Sequence, residues 1–183
     1  MENLKHPPIG AFAVRSASIA AMSEVNIMPY RSAFRDAVVD LAIKAWAPVF
    51  AKTINEVPRF VYGAFYPQGW EVRQTADVVS LLEDQPGNIW VALIDTELAG
   101  FIGIRLHPED QMGEIYIMAV SPIHQRRGIG TALMRFADQE IGKAGMTMVM
   151  VETGGDTGHA PARQAYESFG FERWPVARYF KRL

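Results

Sequence analysis

Apolar positions recur along this chain with two periods, and the change between them divides it. Val25-Asn26-Ile27-Met28 predicts a short first strand, and Ser32 is placed to cap a helix start. Phe34, Val38, Leu41, Ala42 and Ala45 follow at spacings of four, three, one and three, which is one helical face. Pro48 suits the first turn of a second helix, with Val49, Phe50, Ile54 and Val57 inward and an end before Pro58. Phe60, Tyr62, Phe65, Tyr66 and Trp70 crowd the next stretch, around Gly63, Pro67 and Gly69. That cluster reads as core or as the lining of a pocket for an apolar amine. Val72, Ala76, Val79 and Leu82 predict a third helix, closed by Pro86-Gly87.

From Ile89 the period shortens. Ile89 to Ile94 predicts a strand, Asp95-Thr96-Glu97 a turn, and Leu98 to Leu106 a second strand. A polar loop from His107 to Gly113 leads to a third, Glu114 to Val120, so the three form an antiparallel meander. Ile129, Leu133, Phe136, Ala137, Ile141 and Ala144 then mark one face of a long helix stopped at Gly145. Met146 to Val151 is apolar on both alternating faces and predicts an interior strand covered on both sides. A further helix over Ala160 to Phe169 ends at Gly170, and Phe171 to Leu183 reads as two short strands broken by Pro175. The order predicts a mixed α/β chain: a central sheet with helices on both faces.

Composition narrows the chemistry. In 183 residues there is no cysteine, which removes disulfides, a thiolate nucleophile and Cys-ligated metal. His6, His107, His124 and His159 pair with no carboxylate at helical spacing, so no metal is expected. The 18 basic and 20 acidic residues give no general attraction to nucleic acid or to an anionic membrane, and no apolar run reaches membrane-span length. A cytoplasmic location is the default expectation. Ile9 to Met22 follows Lys5 and imitates a leader, with Ser18-Ile19-Ala20 as a loose cleavage site. Pro7-Pro8 and Arg15 break its apolar run, so the expectation is a flexible tail over 1–22 and one domain over 23–183.

The segment richest in chemistry runs from Met118 to Thr131. Pro122 prevents the strand from continuing, and a loop containing Gln125, Arg126, Arg127, Gly128, Ile129 and Gly130 leads into the long helix. The first N–H groups of a helix lack internal partners and carry partial positive charge. Gly128 and Gly130 let a ligand approach them, and two arginines add charge. These features describe a pyrophosphate site; the plainer alternative is a basic, glycine-rich helix start without a ligand. A nucleotide P-loop needs a lysine after the last glycine, and the dinucleotide fingerprint needs a third glycine where Leu133 stands.

About thirty residues downstream lies His159-Ala160-Pro161-Ala162-Arg163-Gln164-Ala165-Tyr166, continuing to Gly170-Phe171. The loop Gln125 to Gly130, followed by Ala-x-x-x-Tyr-x-x-x-Gly-Phe at Ala162 to Phe171, resembles the GNAT superfamily of acetyl-CoA-dependent N-acetyltransferases. The resemblance implies a mainly antiparallel sheet with a splayed cofactor cleft. It implies acetyl-CoA as cosubstrate, with its pantetheine arm along Met118, Ala119 and Val120. The pyrophosphate is then expected on Gln125, Arg126, Arg127, Gly128, Ile129, Gly130 and Thr131. Ala162 and Tyr166 fall in the second motif, and Tyr166 is expected near the thioester sulfur, where it can protonate the departing thiolate. Many members carry Asn where this chain has His159, whose ring can also donate to the cofactor; a helix-start role and a catalytic role are alternatives. The connection Thr153 to Gly158 is longer than usual in such proteins and reads as a plain turn.

The implied reaction moves acetyl to a primary amine of a small molecule or peptide by direct attack, since no cysteine can carry it. The alternatives are a non-catalytic acyl-CoA-binding module and a general phosphate-ligand protein. Deprotonating a lysine-like amine of pKa ~10.4 at pH 7 costs about 4–5 kcal/mol, so a proton acceptor is useful. Glu152, at the end of the fifth strand, and Glu114, on the face expected for Met118 and Val120, are the candidate bases; a water chain, a backbone carbonyl and His159 remain. In similar proteins exposed final strands commonly pair, which leaves a homodimer open.

Overall fold

The computed structural model describes residues 25–183. The tail expected over 1–22 lies outside them. Five strands form one sheet in chain order: β1 (Val25–Pro29), β2 (Ile89–Ile94), β3 (Glu97–His107), β4 (Met112–Val120) and β5 (Met148–Val151). The first four pair antiparallel, and β5 runs parallel to β4. β2 and β3 read as near-continuous apolar runs because helices cover both faces.

On one face lie α1 (Arg35–Glu56) and α3 (Trp70–Asp84), which bury Val38, Leu41, Val78 and Leu82 against Ile89, Val91 and Phe101. On the other lies α4 (Ile129–Lys143), whose Ile129, Leu133, Ala137 and Ile141 meet Ala99, Ile102, Ile104 and Ile115. α5 (Ala160–Phe169) adds Tyr166 and Phe169 to the second core, and α2 (Arg59–Phe65) is a short helix between α1 and α3.

Four local expectations are corrected. Pro48 does not start a new helix: it sits inside one helix of 22 residues. Both Pro48 and Lys44, whose carbonyl loses its i+4 partner, are exposed, so water replaces the missing bond. Ser32 opens a 3-10 turn and caps nothing with its side chain. β5 is an edge strand rather than an interior one, with Met148 half exposed. The cause is the fourth correction: Phe171 to Leu183 forms no strand. Pro175 lacks a ladder N–H, and the segment is instead held by side chains. Arg178 pairs with Glu152, Phe180 meets Phe65 edge-on, and Arg182 stacks over Phe60. The aromatic segment packs largely on itself: Phe50 stacks on Trp70 at 4.3 Å between centroids, and Tyr62 and Tyr66 follow at 4.8 Å.

A β-bulge in β4 decides which face its residues use. Gly103 pairs with Ile117, but Ile104 pairs with Ile115, so Tyr116 is the extra residue. Alternation resets there. Met118 and Val120 point to the α4 core, and so does Ile115. Glu114 therefore lies on the opposite face from Met118 and Val120, not on their face as simple alternation requires. Gly113 is pressed against α4: a Cβ there would lie 2.4 Å from Ile141 Cγ2. Gly113→Ala is expected to lower unfolding free energy by about 1–3 kcal/mol in urea titrations. Adding Ile141→Val should recover part of that loss; an additive double variant would show that the contact is not the cause.

Candidate active site

The site begins where β4 loses its second neighbour. β5 pairs with β4 only from Met112↔Met148 to Ile115↔Val151, whereas β4 continues to Val120. Beyond Ile115, the edge of β4 that faced β5 has no strand against it among the described residues. Both strands run parallel there, so their C-terminal ends and the starts of α4 and α5 share one end of the sheet. Open α/β sheets bind ligands in such crevices.

The two helix starts are finished differently. At α4, Gly128 precedes the first turn with φ +81°, and no side chain caps the helix. Ala132 makes the first helical bond, to the Gly128 carbonyl, which leaves the N–H groups of Ile129, Gly130 and Thr131 outside the ladder. A Cβ on Gly128 would meet no atom within 4 Å, so the glycine serves its left-handed backbone and leaves open space in front. Arg126 is also left-handed, at φ +63°, a costly conformation that points successive amides toward one place. Gln125 Nε2 donates to the Val120 carbonyl at 3.3 Å, tying the loop to the end of β4.

Beneath the loop sits His124, which the sequence reading did not assign. It is buried, and its Nδ1 lies 3.0 Å from Arg127 Nη1. A guanidinium only donates, so Nδ1 accepts and the ring hydrogen is on Nε2. Nε2 is buried 3.3 Å from the Glu97 carboxylate, without a directed hydrogen bond. Glu97, His124 and Arg127 thus form a chain from the β2–β3 turn to the loop.

Before α5 comes a 3-10 turn, Thr157–His159, whose start is filled from within. Asp156 Oδ1 accepts from the N–H groups of Gly158 and His159, at 2.9 and 3.3 Å, and from Thr53 Oγ1 of α1 at 3.0 Å. Asp156 Oδ2 accepts from His159 Nδ1 at 2.7 Å. Burial pushes the Asp156 carboxyl up, but the bonds and charge of His159 and the Thr53 hydroxyl outweigh it and hold it below its ordinary value. The connection is a built loop rather than a plain turn. Arg163 Nη1 donates to the carbonyls of Gly154 and Asp156 at 2.6 and 2.7 Å. Glu56 of α1 accepts from the Thr157 N–H and hydroxyl.

α5 ends in a Schellman cap that explains the Tyr-x-x-x-Gly-Phe spacing. Gly170 takes φ +110°, its N–H reaches Glu167, and the Phe171 N–H returns to the Tyr166 carbonyl at 3.0 Å. The Phe171 ring then meets Tyr166 edge-on at 5.9 Å. This fixes Tyr166, and burial raises its phenol pKa, keeping it protonated through the neutral range. Ala162 and Tyr166, four apart, share a helix face.

The candidate bases stand elsewhere. Glu152 follows β5 at the mouth of the gap, but its side chain is 73% exposed and pairs with Arg178 at 3.2 Å. The burial expected of it is absent. Glu114 is largely buried and bonded to His107 Nε2 at 2.9 Å, before the strands part. Asp156 was legible as an N-cap, four residues before the start of α5 and directly before the turn that leads into it; Thr53, at 103 residues' separation, and Glu97 carried no local signal.

With this geometry established, the comparisons place the chain. Residues 53–171 match the acetyltransferase (GNAT) family, and the chain belongs to it. A mycothiol acetyltransferase from Renibacterium salmoninarum is 27% identical over 155 residues, 80% of this chain and 42% of that protein. Another, from Thermomonospora curvata, is 34% identical over 91 residues, 50% of this chain and 30% of that protein. The chain therefore spans less than half the length of these two curated relatives. The PaiA N-acetyltransferase from Thermoplasma acidophilum, solved with coenzyme A, shares the fold at TM-score 0.61 and 15% identity, covering 84% of this chain and 93% of that one. Among the described residues no helix is long and apolar enough to cross a membrane, and no group of His, Asp and Glu is arranged for a metal.

The Asp156 cluster gives stability its own pH signature. A lowered folded pKa means the contribution is complete above about pH 4, the unfolded carboxyl range, and is lost as pH falls through the lower folded value. Asp156→Asn should cost about 1–3 kcal/mol at pH 7 and flatten the acid side of the stability profile. Urea unfolding at pH 7 and pH 3 tests this; parallel curves for the two proteins would refute it.

Proposed function

We propose that this chain transfers the acetyl group of acetyl-CoA to a primary amine of a small molecule or peptide, by direct attack within a ternary complex. The observation that carries the reading is the contrast between the two helix approaches: the 3-10 turn Thr157–His159 that runs into α5 is capped by Asp156, whereas the loop into α4 is bare, glycine-lined and basic. A bare helix start suits an anion, and Arg126 and Arg127 complete the charge for a diphosphate. From there the pantetheine arm runs along Val120, Ala119 and Met118, whose free strand edge offers amide partners. Thr131, in the first turn, and Ala162, whose small side chain leaves room beside Tyr166, border the same path. This brings the thioester toward Tyr166.

The amine nitrogen attacks the carbonyl carbon, the C–S bond breaks, and the sulfur keeps the electron pair. Tyr166, protonated because burial disfavours its anion, donates to that sulfur, and CoA leaves as the thiol. Strand N–H groups at the open edge of β4 polarise the carbonyl as its oxygen gains charge.

CoA thiol release, measured with acetyl-CoA and glucosamine, phenethylamine, spermidine or a short peptide with a free N-terminus, tests the reading. Turnover of any one supports it. Saturable acetyl-CoA binding with no turnover on amines would favour the binding module. Two variants locate the parts. Gly128→Glu should weaken acetyl-CoA binding at least tenfold by calorimetry, through strain at φ +81° and repulsion of the diphosphate. Tyr166→Phe should lower kcat by about 10²-fold with acetyl-CoA KM little changed; an unaltered kcat would remove the tyrosine from the mechanism.

A further inference from the structure

We infer that His159, oriented by Asp156, takes the proton of the acceptor amine, an inference that rests on the transferase reading above. The ring is fixed at one end and free at the other. Asp156 accepts from Nδ1 at 2.7 Å, and an ionised carboxylate cannot donate, so the hydrogen is on Nδ1. Nε2 then carries the lone pair, and it has no partner among the described residues. The side chain is 30% exposed, so Nε2 is open to a substrate or a water.

The surroundings are built to hold this pair. A Cβ on Gly154 would lie 2.5 Å from both Asp156 Oδ2 and His159 Nδ1, and one on Gly158 would lie 2.6 Å from the Val49 carbonyl. Only glycine at both positions lets the loop close over the dyad and against α1. Thr53 fixes the second carboxylate oxygen. The charged groups bonded within this loop are Asp156, Arg163 from α5 and Glu56 from α1. The guanidinium of Arg163 is directed to two carbonyls and Glu56 to Thr157, so Asp156 alone bonds the imidazole.

Placement and chemistry agree. His159 precedes Ala162 by three residues and Tyr166 by seven, the spacing of one helical stripe. Long side chains on a helix lean toward its N-terminus, the end at which His159 stands. As the C–N bond forms and the C–S bond breaks, the nitrogen's proton passes to Nε2, directly or through one water. The imidazolium is stabilised by the Asp156 carboxylate beside it. Tyr166 supplies the proton to sulfur, and the two groups are reset by proton exchange through solvent; from the neutral amine no proton is gained or lost, and an amine that arrives as ammonium first gives its extra proton to solvent, the one proton the overall reaction releases. Neither glutamate is as well placed: Glu152 is solvated and paired with Arg178, and Glu114 is bonded to His107.

The test is kcat against pH with acetyl-CoA and whichever of the four amines is turned over, for wild type, His159→Asn and Asp156→Asn. Wild-type kcat should fall on the acid side as the proton acceptor becomes protonated. His159→Asn should lose that limb and at least 30-fold in kcat, with acetyl-CoA KM changed less than threefold. Asp156→Asn, checked as folded by circular dichroism, should shift the limb to lower pH, because the imidazolium loses its anion. A His159→Asn variant that keeps the limb, or that raises acetyl-CoA KM with kcat unchanged, would overturn the assignment alone. A wild type that binds acetyl-CoA yet acetylates none of the amines would overturn the transferase reading, and this one with it.

Discussion

The parting of β4 from β5 after Ile115 and Val151 is the constraint on which the rest depends. A strand inside a sheet satisfies its amides on both edges. Here β4 runs on for five residues, Tyr116 to Val120, with one edge unpaired. Unpaired backbone in a crevice needs a partner that the fold does not supply. The bulge at Tyr116 falls at that point, adding twist and turning Met118 and Val120 toward α4. The sheet tolerates the opening because the packing lies elsewhere: α1 and α3 close one face over β2 and β3, and α4 closes the other.

The parallel relation of β4 and β5 then brings two positive helix ends to one place. If both were bare, they would compete for the same anion. The chain resolves this with one carboxylate. Asp156 caps the 3-10 turn Thr157–His159 that runs into α5, and the start of α4 is left without a side-chain cap. The same carboxylate holds a histidine, so a single residue separates a region suited to a diphosphate from a region suited to proton transfer. Four strained or glycine-dependent positions, Arg126, Gly128, Gly154 and Gly158, lie around this end. Strain of that kind persists only where surrounding structure over-determines it.

How much of this could be read from the chain depended on range. β2, β3, α4 and α5 were legible because their periodicity is local and their stops, Gly145 and Gly170, are left-handed helix ends. The glycine-led start of α4 was legible because a left-handed Gly128 ahead of the helix is written directly in the local sequence. What failed were inferences needing a neighbour. Pro48 reads as a helix start unless one knows that Lys44 faces water. Apolar Met146 to Val151 reads as interior unless one knows that residues 171–183 do not pair beside it. Glu114 reads as facing the cofactor unless the bulge at Tyr116 is counted, since one extra residue reverses every side chain before it. The Thr53–Asp156 bond joins residues 103 apart and leaves no trace in either local sequence.

The proposal of His159 in place of a glutamate follows from the same distinction. A glutamate at a buried strand end needs only desolvation to become a base, so a sequence reading favours it. Desolvation, however, requires a neighbouring element, and at Glu152 that element is a C-terminal segment which contributes an arginine instead of cover. A histidine needs no such burial, because its unperturbed titration already lies near neutrality. It needs only an orienting partner, and a carboxylate three residues earlier can supply one within a single turn of chain. In the proposed mechanism, replacing burial by a local hydrogen bond lets the proton-accepting group stay at an open gap without depending on the edge of the sheet being covered.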